Sequence, residues 1–194
     1  MQSTTEASKL DPRVIRTRRD LVASMFSLLK QKTFSQITVQ QIAEGAIVNR
    51  GTFYAHFDDK FDLLEYMVKD SFQKMLDVRM ASRETFSTEN LRLLTLATCE
   101  FLARFSDKYG PCHGKDHPPI ERQLQPYIYQ LLLKWLKSAE MVDSAETIAM
   151  ATSWAIFGTA LQWSWGRKEV SAETLTDEIM TLITPGLAPI QPLI

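Results

Sequence analysis

Residues 34–64 read FSQITVQQIAEGAIVNRGTFYAHFDDKFDLL, and three helix starts follow one another inside them. Thr38 has the side-chain oxygen of a good N-cap, and Gln41 stands three residues on. The pair can satisfy each other's orphan backbone donors as a capping box. Ile37 precedes the cap and Ile42 occupies the fourth helical position, so the two can pin the chain's entry as a hydrophobic staple. The same grammar returns at Asn49, with Val48 before it and Phe53 at the fourth position. It returns again at Asp59, with Asp62 in the first turn and Phe57 and Leu63 as flanking apolar residues. Two short helices are therefore expected at 38–45 and 49–57, joined by a turn and framed by longer helices at 12–31 and 60–80. That is the plan of a helix-turn-helix. At helical spacing Phe53 and Phe57 share one face of the third helix, while Arg50, Thr52, Tyr54, Ala55 and His56 spread around the rest. A short helix anchored by aromatics and carrying donors outward suits a DNA major groove.

Working outward, the charge agrees. Residues 1–57 carry 8 Lys/Arg against 4 Asp/Glu, whereas residues 58–194 carry 14 against 19. Arg13, Arg16, Arg18 and Arg19 crowd the start of the first helix, whose apolar stripe is Ile15, Val22, Met25, Phe26 and Leu29. A basic end on an acidic chain suggests a local polyanion site, although a solvated helix face reads the same way.

The segment resembles the DNA-binding domain of the TetR family of transcriptional regulators. The matching residues are Phe34, Ile37-Thr38-Val39, Ile42-Ala43, Val48, Arg50-Gly51-Thr52-Phe53-Tyr54, His56-Phe57, Lys60 and Leu63-Leu64, within roughly residues 11–71. The resemblance implies a phosphate contact from Thr38 and base-edge proximity for Arg50, Gly51 and Thr52. It implies that Tyr54 and His56 reach phosphate or bases, and that Lys60 meets a phosphate at the start of the fourth helix. It also implies double-stranded operator DNA as the partner, repression as the usual outcome, a small-molecule effector, and a homodimer built on the last two long helices. One departure stands out. The family often places Gly in the turn, where this chain has Ala46-Ile47-Val48-Asn49. A β-branched residue is costly at positive φ, so either the turn avoids that conformation or it is strained.

The rest of the chain reads as all-α. Of the 194 residues 45% are hydrophobic and 23% charged, ample for a core without metals or disulfides. No run of 18 apolar residues marks a membrane span, and the first residues lack the apolar core of a secretory signal, so a cytoplasmic protein is expected. Further helices are expected at 89–107, at 126–139 opened by Pro126, at 144–166, and at 172–184 stopped by Pro185-Gly186. The division expected is a DNA-binding domain at 11–71 and a ligand-binding and dimerisation domain at 72–194, with the fourth helix joining them.

Within the second part, Ala151, Ala155 and Gly158 permit close helix approach, and Met150, Trp154, Phe157 and Leu161 are read as a face turned to a core. Leu175, Ile179 and Leu182 line the last helix. Aromatic stripes at helical spacing are core more often than pocket. Phe101, Phe105, Trp135 and Trp154 are nonetheless the candidate walls for an apolar effector, because all four Trp lie beyond residue 130. Cys112, His113 and His117 share one loop, but their spacing fits no common zinc module, and no metal or cofactor is expected. Cys99 reads as a small core residue. No nucleophile elbow, phosphate loop or dinucleotide motif appears, so an enzyme is not expected. The competing reading is a helical partner-binding or scaffold protein that keeps the fold without specific DNA binding.

Overall fold

Asp11 begins the first helix: its Oδ1 accepts from the Arg13 amide at 2.8 Å, and Pro12 takes the first helical position, where a missing N–H costs nothing. The computed structural model describes residues 11–80, 85–109, 120–138 and 144–187. Among them are eight α-helices and no strand: α1 Pro12–Leu29, α2 Val39–Gly45, α3 Arg50–Tyr54, α4 Lys60–Arg79, α5 Thr88–Tyr109, α6 Glu121–Ser138, α7 Ala145–Trp165 and α8 Ala172–Leu187. A 3-10 turn at Phe34–Gln36 precedes α2. No helix of the described residues is long and apolar enough to cross a membrane. The chain divides into two compact units between Leu64 and Glu65, inside α4 and seven residues before the expected division at 71/72.

In the first unit α1 packs on α2, and α2 on α3. Leu21, Met25 and Leu29 of α1, Ile42 and Ala43 of α2, Phe53 and Phe57 around α3, and Leu63 and Leu64 of α4 are buried. Ile15, expected in the α1 stripe, is 55% exposed, and Leu21 fills the core instead. The approach of α1 to α2 depends on Gly45. A Cβ built there would collide with Ser24 Oγ, which already donates a buried hydrogen bond to the Ile42 carbonyl at 2.8 Å.

In the second unit α6 packs chiefly on α7, and α5 on both α7 and α8. Gln125 of α6, though buried, donates to Ser153 Oγ of α7 at 3.0 Å, so the polar pair is satisfied. Glu100 of α5 holds both Arg79 of α4 and Arg104 one turn along its own helix. Cys99 is buried, as expected, and burial pushes its thiol pKa up to about 11. The thiol therefore stays protonated and behaves as a small apolar side chain.

Two helix ends differ from expectation. Pro126 does not open α6; the helix starts at Glu121, and Pro126 lies inside it. Ile120 and Leu124 are buried, and the Ile120 carbonyl accepts from the amides of Gln123 and Leu124, so the extra first turn is held by packing. Likewise α8 runs through Pro185 and Gly186 to Leu187. Ile183 and Leu187, buried on either side of the proline, hold the last turn in place. In both cases tertiary burial outweighs a local preference of about 3 kcal/mol against interior proline.

Candidate nucleic-acid interface

The recognition element begins with its cap. Asn49 Oδ1 accepts from the Thr52 amide at 2.7 Å and from the Thr52 hydroxyl at 3.1 Å, which fixes the first turn of α3. Upstream, the Thr38–Gln41 capping box is present in both directions: the Gln41 amide donates to Thr38 Oγ1 at 3.3 Å, and the Thr38 amide donates to Gln41 Oε1 at 3.2 Å. Downstream, Asp59 Oδ1 accepts from the amides of Phe61 and Asp62 at 2.7 and 2.9 Å, and Asp62 Oδ2 accepts from the Asp58 amide at 3.0 Å. All three starts read from the sequence are thus capped as expected, although α3 itself is only five residues long.

Two aromatic anchors hold α3 to the core. Phe53 is fully buried and Phe57 nearly so, with ring centroids 6.0 Å apart. Tyr54 meets the edge of Phe53 at 5.5 Å yet is 48% exposed. Arg50, one turn before it and exposed, donates from Nη2 to Tyr54 Oη at 3.3 Å and lies 5.8 Å from the ring centroid. The two side chains form one outward unit, in which the phenol holds the guanidinium and reduces the rotamer freedom an incoming ligand must freeze. Gly51 is exposed beside them and Thr52 half-buried. A Cβ on Gly51 would stand 3.1 Å from Asn49 Oδ1, crowding the cap.

His56 lies just past α3 and is half-buried. Burial first, and the positive charge of Arg18 second, hold its pKa below the usual histidine value. The imidazole is therefore neutral at neutral pH and offers an N–H, not a charge. Arg18 itself lies over the Phe57 ring at 5.5 Å. Arg13, Arg16 and Arg19 of the same basic cluster are exposed.

Lys60 is placed differently from the phosphate contact expected of it. Its Nζ donates to the carbonyls of Phe34 and Ile37 at 2.8 Å each and of Ser35 at 3.3 Å. The ammonium also sits 4.7 Å from the centroid of the Phe34 ring, and Phe34 packs edge-on against Phe61 at 5.2 Å. Burial lowers its pKa, and the Asp59 carboxylate partly restores it. An ammonium has three N–H donors, and here three carbonyls accept from them, so Lys60 ties the start of α4 to the segment before α2. Sequence position alone, at a helix N-terminus, gave no sign of these partners 23 to 26 residues away.

The turn question is also decided. Ile47 has φ 58°, the left-handed conformation, and its side chain is 94% exposed. The turn keeps the geometry that favours glycine and carries the strain of a β-branched residue there.

The expected effector walls differ in exposure. Phe101, Phe105 and Trp135 are buried, with Phe101 packed edge-on against Phe72 at 5.4 Å and stacked on Phe105 at 6.5 Å. Trp154 is 53% exposed. An open groove of about 400 Å³ lies elsewhere in the second unit, between α4 and α6, with Lys69, Gln123, Tyr127 and Leu131 among its lining residues. Cys112, His113 and His117 lie outside the described residues.

Residues 22–67 match the sequence pattern of a family described as bacterial regulatory proteins, tetR family. A curated relative, the uncharacterized HTH-type transcriptional regulator YxbF of Bacillus subtilis (strain 168), is 22% identical over 174 residues, covering 74% of this chain. The chain spans 46% of that relative's length. Similar solved structures include the dihydroxyacetone kinase operon activator DhaS, with TM-score 0.55 and 17% identity over 92% of this chain and 99% of that one. The regulator FadR of Bacillus subtilis, in complex with stearoyl-CoA, has TM-score 0.55 and 16% identity over 87% of this chain and 98% of that one. RolR bound to resorcinol has TM-score 0.51 and 20% identity over 94% and 97%. At these identities the structural likeness is one of fold. Together with the capped, aromatic-anchored helices above, the match marks residues 22–67 as similar to the helix-turn-helix segment of the tetR family of bacterial regulatory proteins.

Proposed function

We propose that the chain is a cytoplasmic transcriptional repressor that binds a palindromic operator as a homodimer and is modulated by a small molecule. The observation that carries the DNA reading is the outward edge of α3. Arg50 and Tyr54 are exposed and mutually held while Phe53, their neighbour in sequence, is fully buried. Arg50, Gly51 and Thr52 lie at the N-terminal end of α3, the end that enters the major groove in helix-turn-helix proteins. Thr38 and His56 flank it as hydroxyl and N–H donors for phosphate. Lys60 acts from behind, by setting the frame.

The dimer reading rests on α7, which is apolar around most of its circumference. Ile156, Phe157, Ala160 and Leu161 are buried on one side, whereas Met150 and Trp154, expected to face a core, are exposed together with Ala151. Gly158 shares that exposed stripe, and a Cβ added to it would meet nothing within 4 Å. The chain's own packing therefore does not require a glycine there, but a second helix approaching closely would. Leu182, read with Leu175 and Ile179 as lining α8, is 77% exposed and adds to the same kind of surface. Exposed apolar side chains on such a helix are stabilised when covered, and a two-fold copy supplies the cover. Repression is the sign the resemblance implies. One fold neighbour is named an operon activator, so a promoter-reporter assay decides the sign for this chain.

The test is selection of bound DNA from genomic fragments, followed by gel-shift on the site recovered. Arg50→Ala and Tyr54→Ala are each expected to weaken specific binding about tenfold to a hundredfold, corresponding to about 1–3 kcal/mol, with helical content unchanged. Unaltered operator affinity in both variants would sink the DNA reading. Light scattering at micromolar concentration should show a dimer for the parent chain and a monomer for Trp154→Glu. A parent chain that is monomeric while still binding a palindromic site would remove the dimer.

A further inference from the structure

The polar atoms around α3 are not equally free. Arg50 is exposed, and a guanidinium carries five N–H donors and no acceptor. One of these goes to Tyr54 Oη at 3.3 Å, and no other hydrogen bond or ion pair engages the side chain among the described residues. Tyr54 Oη, having accepted that bond, still offers its own O–H. Asn49, also exposed, has an amide that can both give and take hydrogen bonds. Its Oδ1, however, already accepts from the Thr52 amide at 2.7 Å and from the Thr52 hydroxyl at 3.1 Å. What remains to Asn49 is the NH₂ group. The same cap takes the O–H of Thr52, which is half-buried. Gly51 has no side chain, and that of Ala55 is not polar. The cap that builds the helix therefore occupies the amide acceptor, and the outward edge is left rich in donors.

The bases differ in what they present in the major groove. Guanine shows two acceptors, N7 and O6, whereas adenine pairs the N7 acceptor with an N6 donor. Cytosine shows a donor, and thymine one acceptor beside a methyl group. Adenine is matched by an amide that gives one hydrogen bond and takes one, and here the amide oxygen is occupied. Cytosine calls for an acceptor. A planar fork of donors finds two acceptors on guanine alone. The fork is also restrained before any DNA arrives. Tyr54 packs edge-on against the fully buried Phe53 at 5.5 Å, and the Arg50 guanidinium lies 5.8 Å from the Tyr54 ring centroid. A side chain already held loses less rotamer freedom on binding.

We propose that Arg50 reads a guanine at one fixed position of each operator half-site, donating to N7 and O6, and that Tyr54 is the positioning residue for it. The inference rests on the DNA reading above and narrows it from operator DNA to a base.

The operator recovered from genomic fragments should carry that guanine in both half-sites. Replacing it with 7-deazaguanine, which still pairs with cytosine but lacks the N7 acceptor, should weaken the parent chain about tenfold in gel-shift. Arg50→Ala should bind the two duplexes equally. Arg50→Gln brings an amide with a free oxygen, and should turn the preference at that position from guanine to adenine. Such a gain cannot come from a damaged fold. Tyr54→Phe keeps the ring on Phe53 and removes the hydroxyl. The guanine-over-adenine ratio should then fall severalfold, a readout that loss of stability alone would not move. Half-sites without a fixed guanine, a parent chain indifferent to 7-deazaguanine, or a guanine preference that survives in Arg50→Ala would each overturn the assignment while leaving the DNA reading in place. A parent chain that recovers no specific fragment removes the DNA reading and the assignment together.

Discussion

The two units of this chain are specified over different sequence distances. In the helix-turn-helix unit the helix starts are set by partners two or three residues away: Asp11 with Arg13, Thr38 with Gln41, Asn49 with Thr52, Asp59 with Phe61 and Asp62. In the second unit the decisive contacts are remote. Gln125 meets Ser153 across 28 positions, and Arg92 meets Asp177 across 85, at 2.9 Å. A cap is a local hydrogen bond and can be recognised from a few letters. A buried face is a relation between helices, and a helix apolar around most of its circumference, such as α7, offers no clear stripe by which to assign it. The division is not absolute, because Lys60, Ser24 with Gly45, and Ile47 put non-local or strained features inside the locally written unit.

Lys60 offers the largest test. Lys60→Ala removes three hydrogen bonds from a charged donor and leaves the carbonyls of Phe34 and Ile37 without it. Unfolding free energy should drop by about 1.5–3 kcal/mol in urea titration. The salt dependence of DNA binding should keep its slope. A slope reduced by about one phosphate would instead restore the direct contact that the resemblance implies.

The helix approach at Gly45 is next. Gly45→Ala places a methyl against Ser24 Oγ and should cost about 1–3 kcal/mol, the range for overpacking. Ser24→Ala in the same chain relieves the collision, so a double-mutant cycle by thermal denaturation should show a favourable coupling of at least about 0.5 kcal/mol. Strict additivity would mean that α1 and α2 can part without penalty, and would weaken the view that this contact is close-packed.

The smallest effect is at the turn. Ile47→Gly relieves a left-handed β-branched residue and gives up no packing, since the side chain is almost fully exposed. Glycine's own chain entropy offsets part of the gain, leaving a stabilisation of about 0.5–1 kcal/mol by denaturant titration. A loss of stability would show that the exposed isoleucine contributes something that outweighs the strain.

The sequence by itself determined the all-α class, the three capped starts, the place of α3 and the inward roles of Phe53 and Phe57, because each depends on hydrogen bonds or helical spacing within a few residues. It also exposed the anomaly at Ile47 without deciding between strain and avoidance. Only the tertiary structure decided where Lys60 points, that Met150, Trp154 and Leu182 face outward, and that Phe101, Phe105 and Trp135 are core. It likewise carried α6 and α8 through their prolines and opened the groove beside Gln123. The reason is one of range. A cap competes only with water and its own backbone, whereas the side of a helix is chosen by whatever apolar surface another helix brings to it.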